Sequence, residues 1–187
     1  NLARVVVILK EERFAYTRPS ISGGFLHTEN GELPMQGRID RIDVLDEKEK
    51  CIRVIDYKTG KKDFDYCDVF NGVGLQMLLY MFALRSSGEE ALGMHPVAAG
   101  VQYFPARAPY LSSDGSLSDI EAEKLRGKEW MRKGLLLQDE SVLHAMEPAD
   151  DFGRLDIKVK KDGTISGNLA DREQLKLLEG YIFKFLG

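Results

Sequence analysis

Cysteine is scarce in this sequence: Cys51 and Cys67 are the only two in 187 residues. They provide neither a disulfide framework nor a metal-ligand spacing, and a reducing intracellular compartment is the simplest inference. Long apolar runs are missing too. No stretch approaches the ~18 residues of a membrane span, and no secretory leader is recognisable. Nor is there an excess of positive charge: 26 Lys and Arg against 30 Asp and Glu leave a net charge of −4. That balance excludes a protein that coats nucleic acid through bulk electrostatics. It leaves open an enzyme whose acids hold metal ions that then meet phosphate. Internal repeats and low-complexity tracts are likewise lacking.

What is present reads as one globular domain, with 43% hydrophobic and 30% charged residues. The chain begins in "NLARVVVILK", without methionine, and ends in "LEGYIFKFLG" with a helical pattern still running; it is read as a fragment of a longer protein. "RVVVILKEE" is β-branched and predicts a strand. "GGFLHT" and "ELPMQGRIDRIDVLD" flank Asn30-Gly31, a strong hairpin signal. The second run pairs in turn with "KCIRVIDYKTG" across the charged turn Asp46 to Lys50, so the first third is an antiparallel meander. A polar loop leads to a helix from about Val73 to Arg85, apolar on nearly every face and therefore packed on more than one side. "PVAAGVQYFPA" is a short strand placed centrally. Arg107 to Glu129 reads as a long loop leading into a helix. "RLDIKVKKDGTISG" is a hairpin around Asp162-Gly163, and "LADREQLKLLEGYIFKFL" an amphipathic helix with Asp171 near its start. The fold class is α/β: a mixed central sheet, begun by the meander and flanked by helices, with its core at about 24–105 and an elaboration over about 106–187.

The chemistry concentrates in "GRIDRIDV" and "VIDYKTG". Side chains alternate along a strand, so Ile52, Val54, Asp56 and Lys58 share one face, while Asp40, Ile42 and Val44 share a face of the preceding strand. Both acids stand on otherwise apolar faces of neighbouring strands. An ionised carboxylate there is costly unless paired or bound to a cation. A plain ion pair of Asp56 or Asp40 with Lys58 or Arg41 is one reading. The other is a site for a hard divalent cation, which takes oxygen ligands and keeps waters and phosphate in its remaining positions. Lys58 beside it would orient water or offset charge on the transition state. On the next helix Gln76 and Tyr80, at i and i+4, share one face.

Taken in order, Asp40 in Gly-Arg-Ile-Asp, Asp56 and Lys58 in the acid-x-Lys strand, and Gln76 and Tyr80 on the helix resemble the PD-(D/E)xK nuclease superfamily in its RecB-like branch, with a restriction-endonuclease-like core. The runs "GLQMLLYMFAL", "VQYFPARAPYLSSDGSLSD", "WMRKGLLLQDESVLHAM" and "KVKKDGTISG" extend the resemblance, over nearly the whole chain, to the nuclease domains of the AddB family. These belong to bacterial AddAB helicase–nucleases.

The resemblance implies a cytoplasmic, bacterial exonuclease domain in double-strand break repair by recombination. It would hydrolyse DNA with Mg²⁺, or Mn²⁺ in its place, on single strands delivered by an AddA-type helicase subunit. Asp40, Asp56 and the backbone carbonyl of Tyr57 would be metal ligands, Lys58 would steer the water, and Gln76 and Tyr80 would position the strand or brace the site. A stand-alone RecB-like nuclease of the Cas4 type, or a nuclease-like module that binds DNA or docks another chain without catalysis, are the rival readings.

The sequence departs from the family's pattern twice. RecB-like nucleases draw a further metal-site histidine or acid from an upstream helix, whereas the 39 residues before Asp40 read as strands, with Glu11 and Glu12 the nearest acids. An isolated chain with little activity is the expected consequence of a missing ligand. The family's iron–sulfur cluster is also not expected, because Cys51 and Cys67 match none of its cysteine positions. His27, His95 and His144 are isolated and read as surface or turn residues. Lys61 and Lys62 are either a solvated pair or phosphate contacts. "EAEKLRGKEWMRKG" reads as a mixed-charge helix face, and Trp130 as a core anchor.

Overall fold

The computed structural model describes residues 14–17, 20–28, 31–45, 48–107, 118–149 and 152–186. Five strands come first: β1 (Phe14–Thr17), β2 (Ser20–Thr28), β3 (Gly31–Arg38), β4 (Arg41–Val44) and β5 (Cys51–Lys58). Two helices follow, α1 (Tyr66–Phe70) and α2 (Gln76–Leu92), then strand β6 (Val97–Pro105) and helix α3 (Asp119–Glu129). The chain continues through β7 (Lys133–Leu137), α4 (Glu140–Met146), the short strands β8 (Ile157–Val159), β9 (Ile165–Gly167) and β10 (Leu169–Ala170), and α5 (Arg172–Leu186).

Six strands make the central sheet in the order β1-β4-β5-β6-β7-β10. It is mixed: β5–β6 and β7–β10 are parallel, the other neighbours antiparallel. A parallel pair needs a crossover, and α1 with α2 supplies it between β5 and β6. Hairpins β2–β3 and β8–β9 form two separate two-stranded sheets. The Asn30-Gly31 signal is thus met by β2 and β3 in antiparallel register, and the Asp162-Gly163 signal by β8 and β9.

The long run "ELPMQGRIDRIDVLD" is not one strand. It divides after Arg38, so that β3 belongs to the β2 hairpin while β4 enters the central sheet between β1 and β5. Asp40 lies at the division. The initial run "RVVVILKEE", Asn30, residues 46–47 and residues 108–117 lie outside the described residues.

Helix α2 begins at Gln76 rather than Val73. Gly72 (φ +77°) and Gly74 (φ +70°) adopt left-handed conformations that a helix cannot contain. It continues to a left-handed C-cap at Gly93, bending at Ser87 (φ −120°). There the hydroxyls of Ser86 and Ser87 donate to the carbonyls of Phe82 and Ala83, a local competition that bends helices. The helix lies against β5 and β6 and also against β2. Phe82 meets Phe183 of α5 edge-on, and Arg85 pairs with Glu179. Leu78, Met81 and Phe82 are buried with Ile42, Ile52 and Val54 in one core. Each such side chain contributes about 1.5–3 kcal/mol, which fixes α2 over the strands that carry the site.

The polar segment after β5 holds a helical turn, α1, with the Asp65 carboxylate accepting from the Cys67 N–H at 2.7 Å as its N-cap. Cys67, read as a loop or core thiol, is exposed on this helix, and Cys51 is buried at the start of β5. Trp130 is not a core anchor. It is the half-buried C-cap residue of α3, where that helix ends.

Candidate active site

In the β4–β5 ladder Arg41 stands opposite Ile55, Ile42 opposite Val54 and Val44 opposite Ile52. Carried one step further, this register sets Asp40 opposite Asp56, on the same face of the pleat. The Asp40 carboxylate reaches across and accepts the Tyr57 N–H at 2.9 Å. Both acids, the Tyr57 backbone and Lys58 are therefore gathered at one strand end. The Tyr57 side chain points to the opposite face, with Arg41 donating to its hydroxyl at 3.5 Å and Phe104 edge-on to its ring.

Asp56 is largely buried, and its Oδ2 accepts no hydrogen bond. That oxygen has the Lys58 ammonium at 2.5 Å instead. The expected ion pair is present, then, but it leaves a buried carboxylate oxygen without a directional donor. Lys58 is held a second way, its ammonium 5.8 Å from the centroid of the Tyr103 ring. Tyr103 lies beside Asp56 in the parallel β5–β6 ladder. Burial raises the pKa of its phenol above the ordinary tyrosine value, and the negative charges of Asp56 and Asp68 raise it further.

On α2 the Gln76 amide donates to the Tyr80 hydroxyl at 3.0 Å, so the two residues form a unit. The Tyr80 ring occupies the space where Gly37 would carry a Cβ; an added carbon would lie 2.4 Å from it. Neither residue makes a hydrogen bond or ion pair to Asp40, Asp56 or Lys58 among the described residues. Their connection to the acids runs through β3, three residues before Asp40.

Oxygen donors suit a hard cation, and two carboxylates with one backbone carbonyl leave positions for water and phosphate, as Mg²⁺ prefers. The orphaned Asp56 Oδ2 is the atom such an ion would satisfy, so the residues fit the group. Among the described residues no cluster of three or more His, Cys, Asp or Glu is gathered to hold a metal. Glu11 and Glu12 lie outside the described residues. His27 belongs to β2. His95 is exposed beside Glu89 and His144 packs on Phe152, so neither of these joins the site.

Sequence reasoning overlooked Tyr103 and Asp68. Alternation along "GVQYFP" puts Tyr103 on the face of Val101, which could have identified it. Asp68 could have been found through Asp65, whose spacing marks a helix start. Also unforeseen is a buried polar network on the opposite face of the sheet. Arg53 pairs with Asp43 at 2.6 Å and donates to Gln102 at 2.8 Å, while Arg41 donates to Asp43 at 2.5 Å. "RIDRID" thus carries two acids three residues apart with different settings.

Comparison with known proteins agrees with this geometry. The family model of the PD-(D/E)XK nuclease superfamily matches residues 3–177. A protein from Acetivibrio thermocellus, named as the B subunit of an ATP-dependent helicase/deoxyribonuclease, is 36% identical over 167 residues, 86% of this chain and 15% of that protein. Proteins of the same name from Oceanobacillus iheyensis and Symbiobacterium thermophilum are 34% and 37% identical, covering 90% and 81% of this chain. The chain spans about 15% of the length of these relatives. No helix among the described residues is long and apolar enough to cross a membrane. With a match over nearly its whole length and the two acids and lysine of the motif brought to one strand end, the chain belongs to the PD-(D/E)XK nuclease superfamily.

Proposed function

We propose that the chain is the DNA-cleaving module of a helicase–nuclease, a metal-dependent exonuclease acting on strands unwound during recombinational repair of double-strand breaks. The observation that carries this reading is the convergence of Asp40, the Tyr57 backbone, Asp56 and Lys58 at the end of β5. Asp40, Asp56 and the Tyr57 carbonyl would hold Mg²⁺, or Mn²⁺, which when bound supplies positive charge to the phosphate and acidifies water.

The remaining work falls to the chain's own side chains. Lys58, carried on a buried strand and flanked by Asp56 and Tyr103, presents an ammonium with three donors at the position where negative charge develops. Its pairing with Asp56 keeps it aimed. The buried wall formed by Tyr103 and Val54 excludes water from one side, which strengthens these interactions. Gln76 and Tyr80, bonded to one another, offer an amide and a hydroxyl to orient the strand. The partner would be an AddA-type helicase subunit, as the names of the relatives suggest.

Substituting Asp56→Ala in the full-length protein assembled with its helicase partner tests the reading. Mg²⁺-dependent digestion of DNA is expected to be lost, with assembly and unwinding retained; undiminished digestion would overturn it. One observation favours a module that binds DNA or docks another chain without catalysis: Asp56 and Lys58 already neutralise each other. The same substitution separates the two, because such a module has no cleavage to lose.

A further inference from the structure

Although the chain carries a net charge of −4, positive charge is segregated at one place. A recess of about 570 Å³ opens beside Lys58 and is lined by Lys58, Lys61, Lys62, Arg107, Lys128 and Lys133, against only two acids, Asp63 and Glu129. Its size is that of ligand sites in general. Four separate segments converge to build it: the loop after β5, the end of β6, the last turn of α3 and the start of β7.

Part of this charge is accounted for within the fold. Lys58 pairs with Asp56, Lys61 with Glu129 at 2.8 Å, and Lys133 with Asp156 at 2.9 Å and Asp63 at 3.6 Å. Lys62, Arg107 and Lys128 have no ion-pair partner among the described residues. Lys128 has a local reason to be basic, since the last turn of a helix favours cations; Lys62 and Arg107 have none. Three cations brought to one recess repel each other unless an anion joins them. The recess includes Lys58 itself, so an anionic chain lying in it continues directly into the site of Asp40 and Asp56. Phe104 and Pro105 contribute apolar surface to the wall, of use to unstacked bases and not to a duplex, whose base faces are hidden.

We propose that this recess is the seat of a single DNA strand next to the bond that is cut, with Lys62, Arg107 and Lys128 as positioning residues that hold successive phosphates. The proposal rests on the nuclease reading above and assigns it a substrate path. Recognition through phosphates makes it independent of base sequence.

The test is binding of fluorescein-labelled oligo(dT) to the full chain in EDTA, by anisotropy over a range of NaCl concentrations. Each phosphate contact to a single strand adds about 0.7 to the slope of log K against log salt. The triple variant Lys62→Ala/Arg107→Ala/Lys128→Ala is expected to lower the slope by about 2 (roughly 0.7 for each contact). Removing Lys158, Lys160 and Lys161 from the β8–β9 region is expected to leave it unchanged. An unaltered slope in the recess variant, an equal loss in both variants, tighter binding of a duplex probe, or no binding by the parent chain would each overturn the proposal. Failure of the nuclease reading is seen separately, as cleavage that survives Asp56→Ala. A recess variant that binds normally while Asp56→Ala abolishes cleavage defeats the strand path alone.

Discussion

Replacing Asp43 by alanine should unfold this protein more readily than any change at the neighbouring acid, Asp40. Asp43 is 4% exposed and Arg53 3%, and their ion pair of 2.6 Å lies within the sheet. Burial pushes the Arg53 guanidinium pKa down and the Asp43 carboxylate pulls it back up, so the acid is what makes a buried cation tolerable. With Asp43 gone, Arg53 retains the Gln102 carbonyl oxygen at 2.8 Å, while its Nε already has no hydrogen-bond partner. Breaking a buried pair from one side costs about 3–5 kcal/mol, against a total stability on the order of 5–15 kcal/mol. At roughly 2–4 °C per kcal/mol for a chain of this size, Tm should fall by roughly 6–20 °C. Asp40 accepts one hydrogen bond, from the Tyr57 N–H in an exposed setting, and Asp40→Ala should cost about 1 kcal/mol. Urea titrations followed by circular dichroism compare the two directly. If Asp43→Ala costs no more than Asp40→Ala, the network is not what supports that face of the sheet.

Two further outcomes follow from local geometry. Asp139 caps α4, accepting from the Ser141 hydroxyl at 2.6 Å and from the Ser141 and Val142 amides. Its carboxyl pKa is lowered chiefly by the Ser141 hydroxyl, with the two amides and Arg172 adding to the effect. A pKa depressed on folding adds stability above the unfolded value of about 3.9, lost as pH falls through the lower folded value. Asp139→Ala should cost about 1 kcal/mol at neutral pH, and the gap from the parent should narrow below the ordinary aspartate pKa; a constant gap in urea titrations across that range would contradict the assignment. Gly37→Ala places a Cβ within 2.4 Å of the Tyr80 ring, so the ring must swing and the Gln76 amide lose its acceptor. A stability loss of about 1–3 kcal/mol with displaced Tyr80 resonances in NMR spectra is expected, and unshifted resonances would show that the contact is not made.

The pair β4–β5 was legible because its alternation survives in both strands, from Ile42 and Val44 to Ile52 and Val54. The helix of Gln76 and Tyr80 was legible from its apolar density, the two hairpins from Asn-Gly and Asp-Gly, and α5 from its periodicity. Other features leave weaker marks. Helix α1 has five residues, too few for a period to register. The division between β3 and β4 has no breaker, since "QGRID" reads as extended throughout and the choice of sheet is made by long-range pairing. Arg53, Asp43 and Gln102 alternate with apolar residues and look solvent-facing. They are buried because residues far along the chain cover them: Gln102 donates to the carbonyl of Arg132, which is bridged to Leu155. The acids and lysine of the candidate site were readable as a motif. The recess next to them was not, because its walls come from four segments that only the folded sheet brings together.

Asp40 stands one residue outside the β4 ladder, while Asp43, within it, holds the network that spans three strands. Heritable change can therefore act on the two separately. A lineage that loses Asp40 gives up chemistry and keeps a sound domain, still able to hold DNA or a neighbouring chain; one that loses Asp43 forfeits the domain itself. Descendants of this fold that no longer cut should accordingly vary first at position 40 and last at position 43, and a silent copy of the module can persist long enough to be put to another use.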